Sequence, residues 1–365
     1  MTTPPRYPGV VSPPGQNGPK VSASSHRAAR IEDAWQAWRV RGRLRRGHAP
    51  LVVPFGGYGS PAGVRLLARV LLAPRRPNAA RARRTVRGWR SFISAPVPGA
   101  TVIIAAGDQR FEVSADRGGV IDKMVDIHLP PGWNELLLQV NGEEAVPSSV
   151  FVASEDHSIG VVCDIDDTVM VTALPRPFLA AWNSFVRDEH ARRPVPGMAV
   201  LMERIVRQYP GSPIIYLSTG AWNVYPTLTR FLTRHLYPHG SLLLTDWGPT
   251  HDRWFRSGQA HKRDNLRRLA AEFPHIRWIL IGDDGQHDED IYAEFAREFP
   301  DSVRAIAIRE LLTPEALFAG GRSHHDRTHD PQQIPWVSAP NGAGLATEFA
   351  KADVLKQPAH SPHIE

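Results

Sequence analysis

Apolar residues follow two rhythms along the chain. Between Leu51 and Ala153 they come in short runs punctuated by Pro, Gly, Asn or Asp, which predicts strands over 64–72, 88–93, 101–105, 109–114, 123–128 and 135–140. Several short strands at that spacing predict a small β-sandwich. From Ser158 onward, apolar runs at 159–164, 213–218, 241–245, 277–282 and 303–308 alternate with stretches of helical period at 198–208, 224–236, 262–272, 288–298 and 313–319. Strand–helix alternation predicts a parallel sheet covered on both faces, hence an α/β fold. The expected organisation is a disordered tail over 1–29, a basic amphipathic helix over 30–50, the β-sandwich-like domain over 51–155, an α/β domain over 156–320 and a disordered tail over 321–365.

The predicted first helix places Ile31, Ala34, Trp35 and Trp38 at helical spacing and crowds Arg39, Arg41, Arg43, Arg45 and Arg46 into its later turns. Three readings stay open: a helix packed on the next domain with a solvated basic end, a surface helix for anionic lipid, and a nucleic-acid contact. Residues 74–84 add a second basic stretch, so 31–90 holds 14 Arg and 2 acidic residues. Such a field favours a polyanionic partner.

Composition changes this picture in three ways. The net charge of +6 divides unevenly: residues 1–150 carry 21 Lys/Arg and 10 Asp/Glu, whereas 151–365 carry 22 and 27, so the second half is acidic. The single cysteine, Cys163, lies within an apolar run and reads as a small buried side chain; one cysteine excludes an intrachain disulfide framework. There is no apolar run of about 18 residues for a transmembrane helix, and Met1–Lys20 lacks the apolar core of a secretory signal. The expected compartment is the cytoplasm, with or without peripheral attachment to a membrane. Near the C-terminus His324, His325 and His329 have no frame that would make them a metal site.

Candidate chemistry gathers where predicted strands end. The run 159–164 delivers Asp164, Asp166 and Asp167 together, and carboxylates so crowded repel one another unless a cation or a proton holds them. In open α/β sheets the crevice beyond the strand C-termini is where ligands bind. Three further pieces fall at equivalent places: Ser218-Thr219-Gly220, Lys262, and the stretch from Gly282 to Asp288. A carboxylate nucleophile, a hydroxyl, an ammonium and a second acidic group suit phosphoryl transfer, because a phosphate dianion approaches a carboxylate only if cations neutralise it. An EF-hand calcium loop is excluded, since no Gly stands at its sixth position. Asp167 and Thr168 read equally well as turn or helix-cap residues, and Asp288 as an N-cap.

This set resembles the haloacid dehalogenase (HAD) superfamily: Asp-x-Asp-x-Thr at Asp164, Asp166 and Thr168, then Ser218, Lys262, Gly282-Asp283 and Asp288 in order. It is similar more closely to the actin-patch-associated phosphatidate phosphatase family, in Pro194-Val-Pro-Gly-Met198, Tyr216-Leu-Ser-Thr-Gly-Ala-Trp222, His261-Lys-Arg263 and Ile279–Asp288. Phe55-Gly-Gly-Tyr-Gly-Ser60 and Leu129-Pro-Pro-Gly-Trp133 extend the likeness to the preceding β domain. Asp284 stands where that family is expected to have Ser. The resemblance implies a HAD-like Rossmannoid sheet, Mg2+ as cofactor, Asp164 as nucleophile, Asp166 as acid–base, and Ser218 and Lys262 as phosphoryl-oxygen contacts. It also implies a metal site drawn from Asp164, Asp166 through its backbone carbonyl, Asp283 and Asp288.

Residues 171–198 leave room only for a small helical flap, so the expected site is open and suits a bulky or surface-held substrate. The family likeness makes that substrate phosphatidate in an anionic membrane surface, with diacylglycerol and phosphate as products. The alternatives are a phosphatase for a phosphoprotein or nucleotide, and a non-catalytic lipid-binding module on this fold; a nucleic-acid partner is disfavoured. Nothing in the sequence sets the oligomeric state.

Overall fold

A seven-stranded, mostly antiparallel sheet and a six-stranded, wholly parallel one are the largest elements in a computed structural model that describes residues 42–43, 45–74, 95–171, 192–245, 251–285, 287–312 and 334–357. The predicted disordered N-terminal tail, most of the basic helix, the strand over 88–93, most of the flap, the helix over 313–319 and the three histidines lie outside these residues. The chain divides into two units, Met1–Arg46 and Gly47–Glu365. Of the first, Gly42, Arg43 and Arg45 are helical. The predicted helix over 30–50 is corrected at its end, because residues 48–50 already belong to a strand.

The first sheet contains β1 (His48–Ser60), β2 (Gly63–Pro74), β3 (Thr101–Ala106), β4 (Gln109–Ser114), β5 (Val120–Val125), β6 (Gly132–Val140) and β7 (Val146–Val152). They are hydrogen-bonded into one sheet in the order β4-β3-β6-β7-β1-β2-β5. All neighbours are antiparallel except β1 and β7. Alternate residues of its strands, among them Val52, Leu66, Val70, Val102, Ile104, Ile121, Leu138 and Val150, share one core. Two of these strands were not predicted. In β1 the register slips between Pro54 and Gly57, which breaks the two-residue period, and β7 buries the polar Ser148 where an apolar residue would have signalled a strand.

The second sheet is all parallel, in the order β12-β11-β8-β13-β14-β15. Its strands are β8 (Ile159–Asp164), β11 (Ile214–Ala221), β12 (Ser241–Thr245), β13 (Arg277–Asp283), β14 (Val303–Arg309) and β15 (Trp336–Ala339). A two-stranded ladder of β9 (Met170–Val171) and β10 (Arg193–Pro194) stands between β8 and the first helix. The helices are α1 (Met198–Gln208), α2 (Tyr225–Arg234), α3 (His251–Glu272), α4 (Asp288–Glu298) and α5 (Gly342–Lys351). Strands buried on both faces read as unbroken apolar runs, and every residue of β12 is buried. At Gly160 a Cβ would stand 2.5 Å from the Trp278 ring, so only glycine admits that indole beside β8.

The predicted disordered tail over 321–365 is corrected by β15 and α5. Trp336–Ala339 pairs with β14, and α5 is capped by Asn341, whose side chain accepts from the Gly344 N–H. Leu345, Ala346 and Phe349 bury one face of this short helix. Its apolar content falls below what a periodicity reading detects between two prolines and a histidine-rich stretch.

The two sheets share a core. Phe55, Tyr58 and Leu67 from the first sheet belong to the same cluster as Val162, Leu217, Leu243 and Leu280 of the second. Because β8 is flanked by β11 on one side and β13 on the other, the chain changes direction across the sheet beside β8, the switch point at which open α/β sheets bind their ligands.

Candidate active site

The C-terminal ends of β8, β11 and β13 lie side by side, with Leu217 paired to Asp164 and Ile281 to Cys163. Asp164 is the last residue of β8 and Asp283 the last of β13, and both are fully buried. Ser218, in the second half of β11, is buried as well. Lys262 reaches in from α3 and is 2% exposed, which is exceptional for a lysine and requires paired charge.

That pairing is explicit. Lys262 Nζ lies 2.7 Å from Asp164 Oδ1 and 2.5 Å from Asp288 Oδ1. Burial disfavours the ammonium, but Asp164 and Asp288 outweigh it and hold the lysine above its ordinary range. Burial pushes the Asp164 carboxyl well above the usual carboxylate range, with Lys262 opposing and Asp288 and Asp166 reinforcing. Asp164 Oδ2 receives no hydrogen bond from the described residues.

Asp288 uses Oδ2 to accept from the Asp283 N–H at 3.4 Å. Gly282 makes this possible, since a Cβ there would meet that oxygen at 2.6 Å. Asp283 Oδ1 accepts from the Gly285 N–H at 2.7 Å, and Thr168 Oγ1 stands 3.5 Å from Asp283 Oδ2. One carboxylate oxygen from each of Asp164, Asp283 and Asp288 lies within 4.8 Å of the others. Three buried carboxylates facing one ammonium leave negative charge uncompensated, and an all-oxygen set with an unbonded Asp164 Oδ2 fits a hard divalent cation.

Asp166 and Ser218 form the other side. Ser218 Oγ donates to Asp166 Oδ2 at 3.0 Å and accepts from the Gly220 N–H at 3.0 Å. The Asp166 side chain is not among the three carboxylates whose oxygens come together. Asp284 turns away too: its Oδ1 accepts from the Leu311 N–H at 2.9 Å.

Sequence reasoning missed Arg309. Buried at the end of β14, it donates from Nη1 to the Asp167 carbonyl at 2.6 Å and from Nε to the Pro340 carbonyl at 3.3 Å. Asp167 has φ of 59°, a left-handed conformation that aspartate tolerates better than most residues. Arg309 thus ties down the turn that carries Asp164 and Asp166. Its one signal in the sequence is position, at the end of a predicted strand.

Residues 159–310 match the family model described as phosphatidate phosphatase APP1, catalytic domain. Phosphatidate phosphatase APP1 of Saccharomyces cerevisiae is 24% identical over 234 residues, which are 60% of this chain and 39% of that protein. An uncharacterized protein of Schizosaccharomyces pombe is 25% identical over 182 residues, 49% of this chain and 30% of that protein. The chain thus spans well under half the length of these curated relatives. Among solved structures, a carbohydrate acetylesterase from Xanthomonas citri aligns with 74% of this chain and 73% of its own at 11% identity and a TM-score of 0.28, a level that carries nothing about fold or function. With the carboxylates, Ser218 and Lys262 all inside the matched stretch, residues 159–310 of this chain are similar to the catalytic domain of the APP1-type phosphatidate phosphatases.

Proposed function

We propose that the chain is a Mg2+-dependent phosphatidate phosphatase that hydrolyses a phosphomonoester through an aspartyl-phosphate. The observation that carries this is the buried ammonium of Lys262 set against Asp164 and Asp288 inside the matched family segment. A HAD-like arrangement is supported by the order of the parallel strands around β8 and by the carboxylates at their C-terminal ends. A sandwich-like β domain over 51–155, ahead of a catalytic domain over 156–320, is supported by the single core that both ends of the seven-stranded sheet supply.

In this reading an Asp164 carboxylate oxygen attacks phosphorus. The bond to the lipid oxygen breaks, and that oxygen leaves with its electron pair and takes a proton from Asp166, giving diacylglycerol. Asp166 then takes a proton from water, whose oxygen attacks phosphorus; the bond to Asp164 breaks and phosphate leaves. Ser218 and Lys262 hold the phosphoryl oxygens. Mg2+ would be held by Asp164, Asp283 and the Asp166 carbonyl, with Asp288 alongside, and supplies neutralising charge to the phosphoryl group. Among the described residues no helix is long and apolar enough to cross a membrane. The basic N-terminal half would draw the enzyme to an anionic lipid surface, as a peripheral cytoplasmic protein.

The test is phosphate release by the full chain from phosphatidate in mixed micelles, a nucleotide and a phosphopeptide, with and without Mg2+. Turnover of phosphatidate above the other two, lost without Mg2+ and in Asp166→Asn, is expected. Preference for the nucleotide or the phosphopeptide would replace the lipid substrate. No turnover of any of the three overturns the enzymatic reading.

A further inference from the structure

Lys262 is held in place by a helix whose two flanks are gripped from different directions. On one flank, Arg263 Nε donates to Glu294 Oε2 at 2.7 Å, and Arg267 pairs with Glu294 at 3.0 Å and Glu298 at 2.8 Å, all on α4. On the other flank His261, Asn265, Arg268 and Glu272 form a polar stripe at helical spacing. Its last two members face the seven-stranded sheet. Arg268 Nη1 donates to Asp122 Oδ2 on β5 at 3.0 Å, and Arg65 of β2 donates from Nε to Glu272 Oε1 at 2.8 Å. Arg65 Nη1 also pairs with Asp122 Oδ1, which links Arg268, Asp122, Arg65 and Glu272 into one charged chain between the sheet and α3.

This charged chain is connected to the catalytic end of the helix. Arg268 Nη2 donates to Asn265 Oδ1, and Asn265 Nδ2 donates to the His261 carbonyl at 2.7 Å, one residue before Lys262. The face of α3 toward the core presents Leu266, Leu269 and Ala270, whose packing holds the helix against the sheet. The directional hydrogen bonds and ion pairs on its flanks add to that packing in fixing its rotation and axial position. The Arg65–Glu272 pair is also the better shielded, at 15% and 13% side-chain exposure against 40% and 41% for Arg267–Glu298, while Asp122, at 38%, is held by Arg65 and Arg268 together. Exposed pairs of the latter kind contribute little.

Resting on the phosphatase reading above, we infer that Asp122 and Arg65, on strands outside the matched catalytic segment, are positioning residues that hold α3 so that Lys262 meets Asp164. The seven-stranded sheet then belongs to the catalytic machinery as its brace. A shift of α3 of about 1 Å would misplace the ammonium relative to the transferring phosphoryl group, an error that costs up to about 100-fold in rate.

The experiment uses the full chain with Mg2+ and p-nitrophenyl phosphate, a soluble phosphomonoester that removes membrane binding from the measurement. Asp122→Asn is expected to lower kcat about tenfold with KM within about twofold, because the loss is one of transition-state contact. Asp122→Glu is expected to recover most of that loss, and Arg267→Gln, on the exposed flank, to leave kcat within about twofold of the parent. In a Lys262→Ala background, Asp122→Asn is expected to cost less than about twofold more, since residues acting through one another are not additive. An unchanged kcat in Asp122→Asn, or an undiminished tenfold loss in the Lys262→Ala background, overturns the inference. If the parent turns over no phosphomonoester, the functional reading fails by itself and amide exchange decides the inference. Asp122→Asn should then speed exchange over 258–266 more than over 214–221, and equal acceleration of both overturns it.

Discussion

Phe55 of β1 lies flat on Trp222, with ring centroids 4.6 Å apart and planes inclined by 11°. Trp222 follows the β11 segment that carries Ser218, so an aromatic side chain of the first sheet backs the serine side of the site just as Asp122 and Arg65 back the lysine side. The register slip between Pro54 and Gly57 is what turns Phe55 out of its own sheet and toward Trp222 and Tyr225.

Phe55→Ala is therefore expected to destabilise the chain by about 3–5 kcal/mol, the usual cost of removing a buried phenylalanine. Urea unfolding of the full chain measures this, and Phe55→Leu should retain a good part of the loss. A change below about 1 kcal/mol would mean that the two sheets do not depend on this contact.

Lys262→Ala leaves Asp164 and Asp288 buried without their ammonium. Breaking a buried pair from one side costs about 3–5 kcal/mol, so the variant is expected to melt well below the parent at neutral pH. Lowering the pH, which protonates the abandoned Asp164 carboxylate, should narrow the gap. A melting-temperature gap that stays constant from neutral to mildly acid pH would show that the lysine's packing, not its charge, is what the site needs.

How much of this was legible beforehand follows from what each residue bonds to. Residues 159–164, 241–245, 198–208 and 288–298 were predicted with the bounds observed, because strands covered on both faces and one-sided helices leave strong periodic signals. Asp164, Ser218 and Asp283 stood out since each follows such a run. Arg309 did not, because it bonds the carbonyl oxygens of Asp167 and Pro340, and backbone groups leave no trace in residue identity. Asp122 and Arg65 were equally silent: each is an ordinary charged residue of an alternating strand until the sheet is brought against α3.

Mg2+ added to the full chain is expected to raise its melting temperature, because a ligand that binds only the folded state contributes about 2.7 kcal/mol at a hundred times its Kd. Asp283→Asn should abolish most of this rise. Asp284→Asn should keep the Mg2+ response, because the Asp284 carboxylate points to the Leu311 N–H and not toward Asp164. Thermal melts with Mg2+ and with chelator separate the two variants. An Asp284→Asn protein that loses the response would make Asp284 a metal ligand.

Acid should weaken the fold through His261. Its ring is pushed down from 6.5 to about 4, chiefly by burial; Arg268 and Lys262 act in the same direction, while the Leu243 carbonyl and Asp122 oppose them. Asn265 Nδ2 stands 3.1 Å from the ring Nδ1, a contact that suits a neutral imidazole. Between pH 6.5 and about 4 the unfolded chain takes up a proton here that the folded chain refuses, so stability falls as the pH drops through that window. For a half-buried ring the loss by pH 4 is about 2 kcal/mol. His261→Gln, which has no proton to take up, should lose about that much less between pH 6.5 and 4 in urea titrations, once the carboxylates common to both proteins are subtracted. Parallel curves for parent and variant would mean that this histidine is as easily protonated in the folded protein as in the unfolded chain.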